Sequence, residues 1–376
     1  MIARGRLESL LAHFDRLTIG LVGDLFLDRY LEIDPRFSER SVETGLEAYQ
    51  VTRVRNSPGA LGTVMNNLAA LGVGRLVPLS VVGDDGHAHD LLAALADLKP
   101  VDASHVIRDP GRLTPTYTKP IQAGPNGLWH ELNRLDLRNC RPLDPAIERR
   151  LLESLESLFA AADGLIVLDQ VNEEGWGVIS PQVREHLARL SRRWPDKLVF
   201  VDSRARVGRF TCGILKPNVA ECLAALGRQP PPGAAPGDLE LAAEAARALS
   251  SQTGCPIYCT LGQAGMLLVG FDSVDRDDPQ GGSRAAIHVP GYAVEGPIDP
   301  VGAGDSATAG IVAALLSGAT PAEAAQVGNL VASITIQQLG TTGTASPADL
   351  LARASRWEGG KGRWGDGGNE EDVAGC

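Results

Sequence analysis

Short apolar runs alternate along this chain with longer amphipathic ones. Thr18–Val22, Leu76–Val82, Leu165–Leu168, Leu198–Val201, Gly213–Leu215, Ile257–Leu261 and Met266–Val269 are strand-like. Ala60–Leu71, His87–Leu98, Gln182–Arg193, Val219–Leu226 and Leu239–Ser251 carry helical spacing. Apolar strands separated by amphipathic helices predict a mainly parallel sheet covered on both faces, and so an α/β core.

Two regions break the alternation. Residues 31–55 and 114–137 show polar–apolar alternation, prolines and β-branched residues without helical periodicity, which predicts antiparallel strands of a small separate sheet. Such a sheet acts as a lid over a site or pairs with a second copy, because its edges are exposed; an ordinary surface hairpin fits the same pattern. The expected division is an α/β core over 1–30, 56–113 and 138–356, and a β lid over 31–55 and 114–137. Residues 357–376, rich in glycine and charge, are expected to be a disordered tail. Gln229–Gly237 reads as a stiff connection, Asp272–Arg284 as a polar, acidic loop, and no internal repeat is present.

Composition narrows the function. With 376 residues and 44% hydrophobic content the chain can bury a large core, and 5% aromatics make that core aliphatic. A formal net charge of -11 leaves no basic face for a nucleic-acid backbone, and a nucleotide site must gather its own donors and a metal ion. The 6 cysteines form no C-x-x-C pair and no zinc grouping with the histidines; Cys255 and Cys259 are the one candidate redox pair, with strand packing as the simpler reading. The charged N-terminus lacks a signal-type apolar block, and no apolar run is long enough for a membrane span. A cytoplasmic location is expected.

The chemistry concentrates in Asp299-Pro-Val-Gly302-Ala303-Gly304-Asp305, which runs into the apolar stretch Ser306–Leu316. Small residues at a helix mouth let an oxygen-rich group approach unpaired amides, and the helix dipole is expected to keep Asp305 ionised. A carboxylate beside a phosphate cradle suits phosphoryl transfer to an alcohol: donors neutralise the moving group and the base takes the hydroxyl proton. A dinucleotide fingerprint is excluded, since the motif lies late in the chain and no ribose-binding acid follows at the required distance. A plain helix cap remains the alternative.

Three further pieces accompany it. Thr260-Leu-Gly262-Gln-Ala-Gly265 joins two predicted strands with residues small enough for phosphate to approach. Lys216-Pro-Asn218-Val-Ala-Glu221 opens a helix with the spacing of a capping box, and capping by itself accounts for that pair. Gly23-Asp24-Leu-Phe-Leu-Asp28 ends the first strand with two carboxylates able to bind vicinal hydroxyls.

Together these residues resemble the PfkB (ribokinase-like) carbohydrate kinases over residues 16–356, and within them the heptose 7-phosphate kinase module of bifunctional ADP-heptose synthases. Gly23-Asp24, Asp28-Arg29-Tyr30, Arg134-Leu135-Asp136, Asn218–Glu221 and Leu339-Gly340-Thr341 carry that likeness, and no nucleotidyltransferase part is expected after 356. The resemblance implies an αβα sandwich with a β lid that serves as a homodimer contact, and ATP and Mg²⁺ as cofactors with a monovalent cation as an option. It implies Asp305 as base, with the Gly302, Ala303 and Gly304 amides as anion hole. Asn218 and Glu221 would act on the metal through water, while Thr260, Gly262 and Gly265 would hold the nucleotide phosphates. Asn329 and Gly340 would line the adenine pocket; Asp28, with Asp24, Gly59 and Thr63, would meet the sugar.

Departures from the pattern bear on the acceptor. Pro58-Gly59-Ala60-Leu-Gly62-Thr63 offers Ala60 where the family has a second glycine and Thr63 where it has an asparagine. Asp169-Gln170-Val-Asn172-Glu173-Glu174-Gly175 replaces a lysine-bearing segment with acids, and Val301 replaces a threonine. The acceptor is therefore open between a sugar and a sugar phosphate. The alternatives are a catalytically weak sugar- or nucleotide-binding member of the fold, and a kinase for a nucleoside or another non-sugar alcohol.

Overall fold

The computed structural model describes residues 2–124, 129–231, 237–271 and 286–361, with side chains to 355. In chain order the elements are α1 (Arg4–Leu11), β1 (Thr18–Gly23), β2 (Leu25–Ile33), β3 (Glu39–Arg40), β4 (Glu47–Ala48), β5 (Val51–Ala60), α2 (Leu61–Ala70), β6 (Arg75–Gly83), α3 (Gly86–Ala96) and β7 (Val106–Asp109). Next come β8 (Thr116–Ala123), β9 (Trp129–Glu131), β10 (Leu135–Leu137), α4 (Pro145–Ala161), β11 (Gly164–Asp169), α5 (Pro181–Arg193), β12 (Leu198–Ser203), β13 (Ile214–Leu215) and α6 (Val219–Ala225). The last are α7 (Leu239–Thr253), β14 (Ile257–Thr260), β15 (Met266–Val269), β16 (Ala286–Val289), α8 (Ala303–Leu316), α9 (Pro321–Thr335) and α10 (Pro347–Lys361).

Nine strands make the main sheet, in the order β16-β15-β14-β13-β12-β11-β1-β6-β7. Pairings from β7 to β14 are parallel, and the two pairings at one edge, β14 with β15 and β15 with β16, are antiparallel because β15 alone is reversed among these strands. The central strands are apolar throughout because both of their faces are covered. Along β11 the side chains alternate between two cores: Ile166 and Leu168 point to the helices α1, α2, α3, α8, α9 and α10, whereas Leu165 and Val167 point to α4, α5, α6 and α7. The expected layered α/β sandwich is what the chain forms.

β1 is the strand from which the sheet grows in both directions, towards β6 on one side and β11 on the other. Crevices at the carboxyl ends of strands beside such a reversal are where open α/β sheets bind ligands. Asp24, Asp169, Asp202–Arg204, Lys216 and Thr260 all lie at or just beyond those ends, so the topology gathers polar residues that are far apart in sequence.

The second sheet has the order β10-β8-β2-β5, with β9 on β8. Its strands begin at Leu25 and run to Ala60, so it reaches further into the sequence on both sides than the expected boundaries of 31–55. The cause is local: Leu25–Ile33 continues as extended strand directly after Asp24, and β5 keeps one register with β2 from Arg53 to Ala60, with a shift between Glu32 and Ile33 beyond it. β3 and β4 make a small hairpin of their own beyond this sheet. At the C-terminus α10 carries the backbone to Lys361, past the expected start of the tail at 357; residues 362–376, all of 272–284 and part of 229–237 lie outside the described residues.

Candidate active site

Helix α8 opens at Ala303, with Gly302 as its N-cap at φ 78, a left-handed conformation that glycine adopts without steric cost. A side chain at Gly302 would also press on the methyl groups of Thr63 and Thr342, each 3.4 Å away. The mouth is braced by Asp299, whose carboxylate accepts from the amides of Val301 and Gly340. Not all three expected amides are available, because Ala303 donates to the Pro300 carbonyl at 3.1 Å in the turn that starts the helix. The amides of Gly302, Gly304 and Asp305 have no acceptor among the described residues and make up the free set.

Asp305 sits in the first turn of α8, half-buried. Its carboxyl is pushed up to about 7, by burial first, then by Asp202 and Asp28, against the pull of Lys216 and Arg204. This corrects the expectation that the helix field keeps it ionised: loss of water and a neighbouring carboxylate outweigh the dipole. An acid titrating near neutrality is well matched to accepting a proton from a hydroxyl.

Lys216, which in the sequence is only the residue two places before a helix cap, is a cation of the site. Its ammonium pairs with Asp202 at 2.9 Å and lies 3.5 Å from where a Cβ on Gly304 would stand. Burial alone would lower Lys216, yet Asp202, Glu221 and Asp305 hold it above its usual value. A fixed positive charge thus stands beside the free amides of α8. Its signal in the sequence was a lysine directly after a strand, opposite a strand-end aspartate.

Asn218 and Glu221 form the capping box: Asn218 Oδ1 accepts from the Glu221 amide at 2.9 Å and Glu221 Oε2 from the Asn218 amide at 2.8 Å. That leaves the side-chain Nδ2 of Asn218 and Oε1 of Glu221 unused at the helix mouth among the described residues. Asn218 also bridges to Thr260, which places Thr260 beside the capping box. Gly262 and Gly265 take φ of 60 and 96, and any Cβ on Gly265 would fall 2.2 Å from the Val289 carbonyl. The β14–β15 turn is therefore a bare backbone ledge next to α6.

Asn329 and Gly340 are not brought together. Asn329, buried on α9, donates to the carbonyls of Val289 and Pro290, whereas Gly340 lines a cleft with Tyr30, Lys119, Asp299 and Val301 at the lid.

On the lid, Asp28 is 6% exposed and 3.3 Å from Lys119. Burial pushes its carboxyl up against the opposing pull of Lys119 and Arg134. Gly59, its neighbour on β5, is required there, since a Cβ would come within 2.9 Å of that carboxyl. Asp24, expected to meet the sugar, lines the cleft and also holds the neighbouring backbone. One of its oxygens accepts from Gln170 and Val171 and the other from Val178, so it anchors the loop after β11. Burial and Asp169 hold it at about 6. Asp169 is itself paired with Arg206 and accepts from Ser203. The carboxylate-rich loop that replaces the family's lysine is thus built on buried charge pairs.

Ala60 stands at the hinge from β5 to α2 with φ 51, the one positive-φ non-glycine residue among those described. The backbone there keeps a glycine's conformation although the side chain is alanine.

Residues 30–349 match the pfkB family carbohydrate kinases. The chain belongs to that family. As a pfkB-family carbohydrate kinase it is a phosphotransferase with an alcohol group as acceptor. Among curated relatives it is 30% identical over 357 residues to the bifunctional protein HldE of Trichlorobacter lovleyi, covering 94% of this chain and 66% of that protein. It is 28% identical over 349 residues to HldE of Geobacter sulfurreducens, covering 93% and 65%. The chain therefore spans about two thirds of the length of these relatives. Among solved structures, phosphofructokinase-2 from Escherichia coli in complex with potassium superposes with a TM-score of 0.65 at 18% identity, covering 91% of this chain and 99% of that one. Ribokinase of Arabidopsis thaliana, complexed with ribose and ATP, gives 0.62 at 16%, covering 90% and 98%. These likenesses extend to the fold, a ribokinase-like sandwich with a separate small sheet. No helix of the described residues is long and apolar enough to cross a membrane.

Proposed function

We propose that this pfkB-family chain is an ATP- and Mg²⁺-dependent sugar kinase that moves the γ-phosphoryl group to a hydroxyl of a sugar or sugar phosphate, with Asp305 as general base. The observation that carries this reading is the meeting of three features: a carboxyl held near neutrality, the unpaired amides of Gly302, Gly304 and Asp305, and the Lys216 ammonium beside them. The acceptor lies between Asp305 and Asp28, whose charges reach one another across the cleft. Its hydroxyl oxygen bonds to phosphorus as its proton passes to Asp305, and the amides with Lys216 neutralise charge on the phosphoryl oxygens.

No group of three His, Cys, Asp or Glu side chains among the described residues could cage a metal. That suits Mg²⁺, which keeps most of its waters and binds through nucleotide phosphates. Asn218 and Glu221 would reach those waters with their unused atoms, and the metal would supply charge neutralisation on the phosphates. Thr260, Gly262 and Gly265 would carry the nucleotide phosphates, with Asn329 towards the base. A monovalent cation is part of this proposal, since the phosphofructokinase-2 neighbour was solved with potassium. Exposed Phe37, Val42, Leu46, Tyr49 and Val54 on and beyond the lid support a homodimer through that surface; a cytoplasmic location is part of the same proposal.

The test is ADP release over a panel of sugars, sugar phosphates and nucleosides, with Asp305→Asn as control. The variant should keep ATP binding and lose about 10²–10⁴-fold in transfer. Near-normal turnover removes Asp305 from the role of base. Ligand-induced melting shifts without turnover on any acceptor favour a binding protein instead, a reading that the substituted Ala60 and Thr63 would serve.

A further inference from the structure

Arg204 follows β12 and is anchored at its root but free at its head. Its amide donates to the Asp169 carbonyl at 3.0 Å. On either side, Ser203 Oγ donates to Asp169 at 2.7 Å, and the Arg206 guanidinium is pinned to Asp169 and to the carbonyls of Asn172 and Val171. The Arg204 side chain itself is exposed and has no hydrogen bond or ion pair among the described residues.

The cleft that it lines runs between the strand ends and the lid, past Asp24, Phe26, Tyr117 and Asp136. Two other arginines line that cleft, and both are engaged. Arg112 donates to the carbonyls of Arg141 and Trp176, and Arg138 pairs with Glu173. Arg112 Nε is left without a partner in its buried position, but among the described residues Arg204 is the one of the three with no side-chain donor engaged. Two residues before it, at the end of the same strand, Asp202 pairs with Lys216 at 2.9 Å, and that ammonium stands 3.5 Å from where a Cβ on Gly304 would be, so Arg204 leaves β12 close to the mouth of α8; its charge also acts on Asp305, Glu221 and Tyr117. A free guanidinium fork, rooted rigidly and standing among the base, the metal-side acid and the lid, is suited to two parallel bonds to phosphoryl oxygens.

We propose that Arg204 is a catalytic residue that closes its guanidinium on the phosphoryl group during transfer, a role that rests on the kinase reading above. As the acceptor oxygen forms its bond to the γ-phosphorus, the bond from that phosphorus to the β–γ bridging oxygen breaks. The hydroxyl proton goes to Asp305, and the electron pair of the broken bond leaves with ADP. Negative charge on the oxygens in between is what Arg204 neutralises, and it does so more strongly there than in bound ATP or ADP. The same fork would also fit a phosphate carried by the acceptor, so the experiment separates the two sources.

The probe is MgADP with aluminium tetrafluoride, which mimics the phosphoryl group in transfer and needs no known acceptor. Binding is measured by titration calorimetry against MgADP alone, and separately for fructose 6-phosphate as an anionic acceptor. Wild-type protein should bind the fluoride complex well above MgADP. Arg204→Ala should lose about 100-fold of that preference while keeping its MgADP affinity and its melting temperature, and Arg204→Lys should recover only part. An unchanged preference in Arg204→Ala overturns the proposal, as does a loss confined to fructose 6-phosphate. Absence of any preference in the wild type overturns the kinase reading, and Arg204 with it.

Discussion

Replacing Asp305 by asparagine should make the protein more stable as pH rises, while it removes the base. In the folded chain the carboxyl is raised from 3.8 to about 7, burial being the largest cause. A raised pKa means that the protonated form is favoured on folding. The stabilisation associated with it is complete below the unfolded value, and it is lost progressively as pH climbs through about 7. Taken at face value the shift is a ceiling of about 4 kcal/mol above neutrality, of which about 3 kcal/mol falls between pH 5 and pH 8. Asp305 is only half-buried, and the substitution also gives up the attraction of Lys216, so a gain of about 1–2 kcal/mol over that interval is the reasonable expectation. Asparagine cannot ionise, and comparing the variant with wild type cancels the titration of other groups, including Asp24. Thermal melting of both proteins at pH 5 and pH 8 reads the effect, a few degrees in Tm in favour of the variant at the higher pH. A gap that stays constant over this range, or moves against the variant, refutes the claim that ionised Asp305 is a cost held for catalysis.

Two further outcomes follow from the geometry. Ala60→Gly should raise Tm by a degree or more, because relief of a positive-φ alanine, about 1–3 kcal/mol, exceeds the extra entropy that glycine loses, about 0.5–1 kcal/mol; an unchanged or lower Tm means that the hinge is unstrained. Lys216→Met should cost about 3–5 kcal/mol in urea unfolding by leaving Asp202 buried without its partner, and adding Asp202→Asn should return much of it; equal stability of single and double variants contradicts the pairing.

Much of this was legible before any coordinates. Parallel strands read correctly because a strand covered on both faces must be apolar along its whole length, as in Gly164–Asp169. The start of α8 read correctly because glycine at a left-handed cap leaves a strong local mark. The Asn218–Glu221 box needs only four consecutive residues, so its structural role was equally visible. What failed to read was set by neighbours distant in sequence. The carboxylate at 24 resembles one at any strand end, and only the folded loop 170–178 shows that its oxygens also hold three backbone amides. Asn329 and Gly340 likewise looked like partners until the helix α9 and the lid cleft separated them.

The sequence by itself determined the layered α/β class, the pfkB likeness and the position of the acid at the mouth of α8, since each is written in local periodicity or in a run of a few residues. Tertiary structure decided the electrostatics. Lys216 reaches Gly304, Arg204 is left unpaired among the described residues, and Asp305 moves to about 7 only when α8, β12 and the lid surround them. Charge interactions depend on distance and on lost water, and the chain states neither until it is folded.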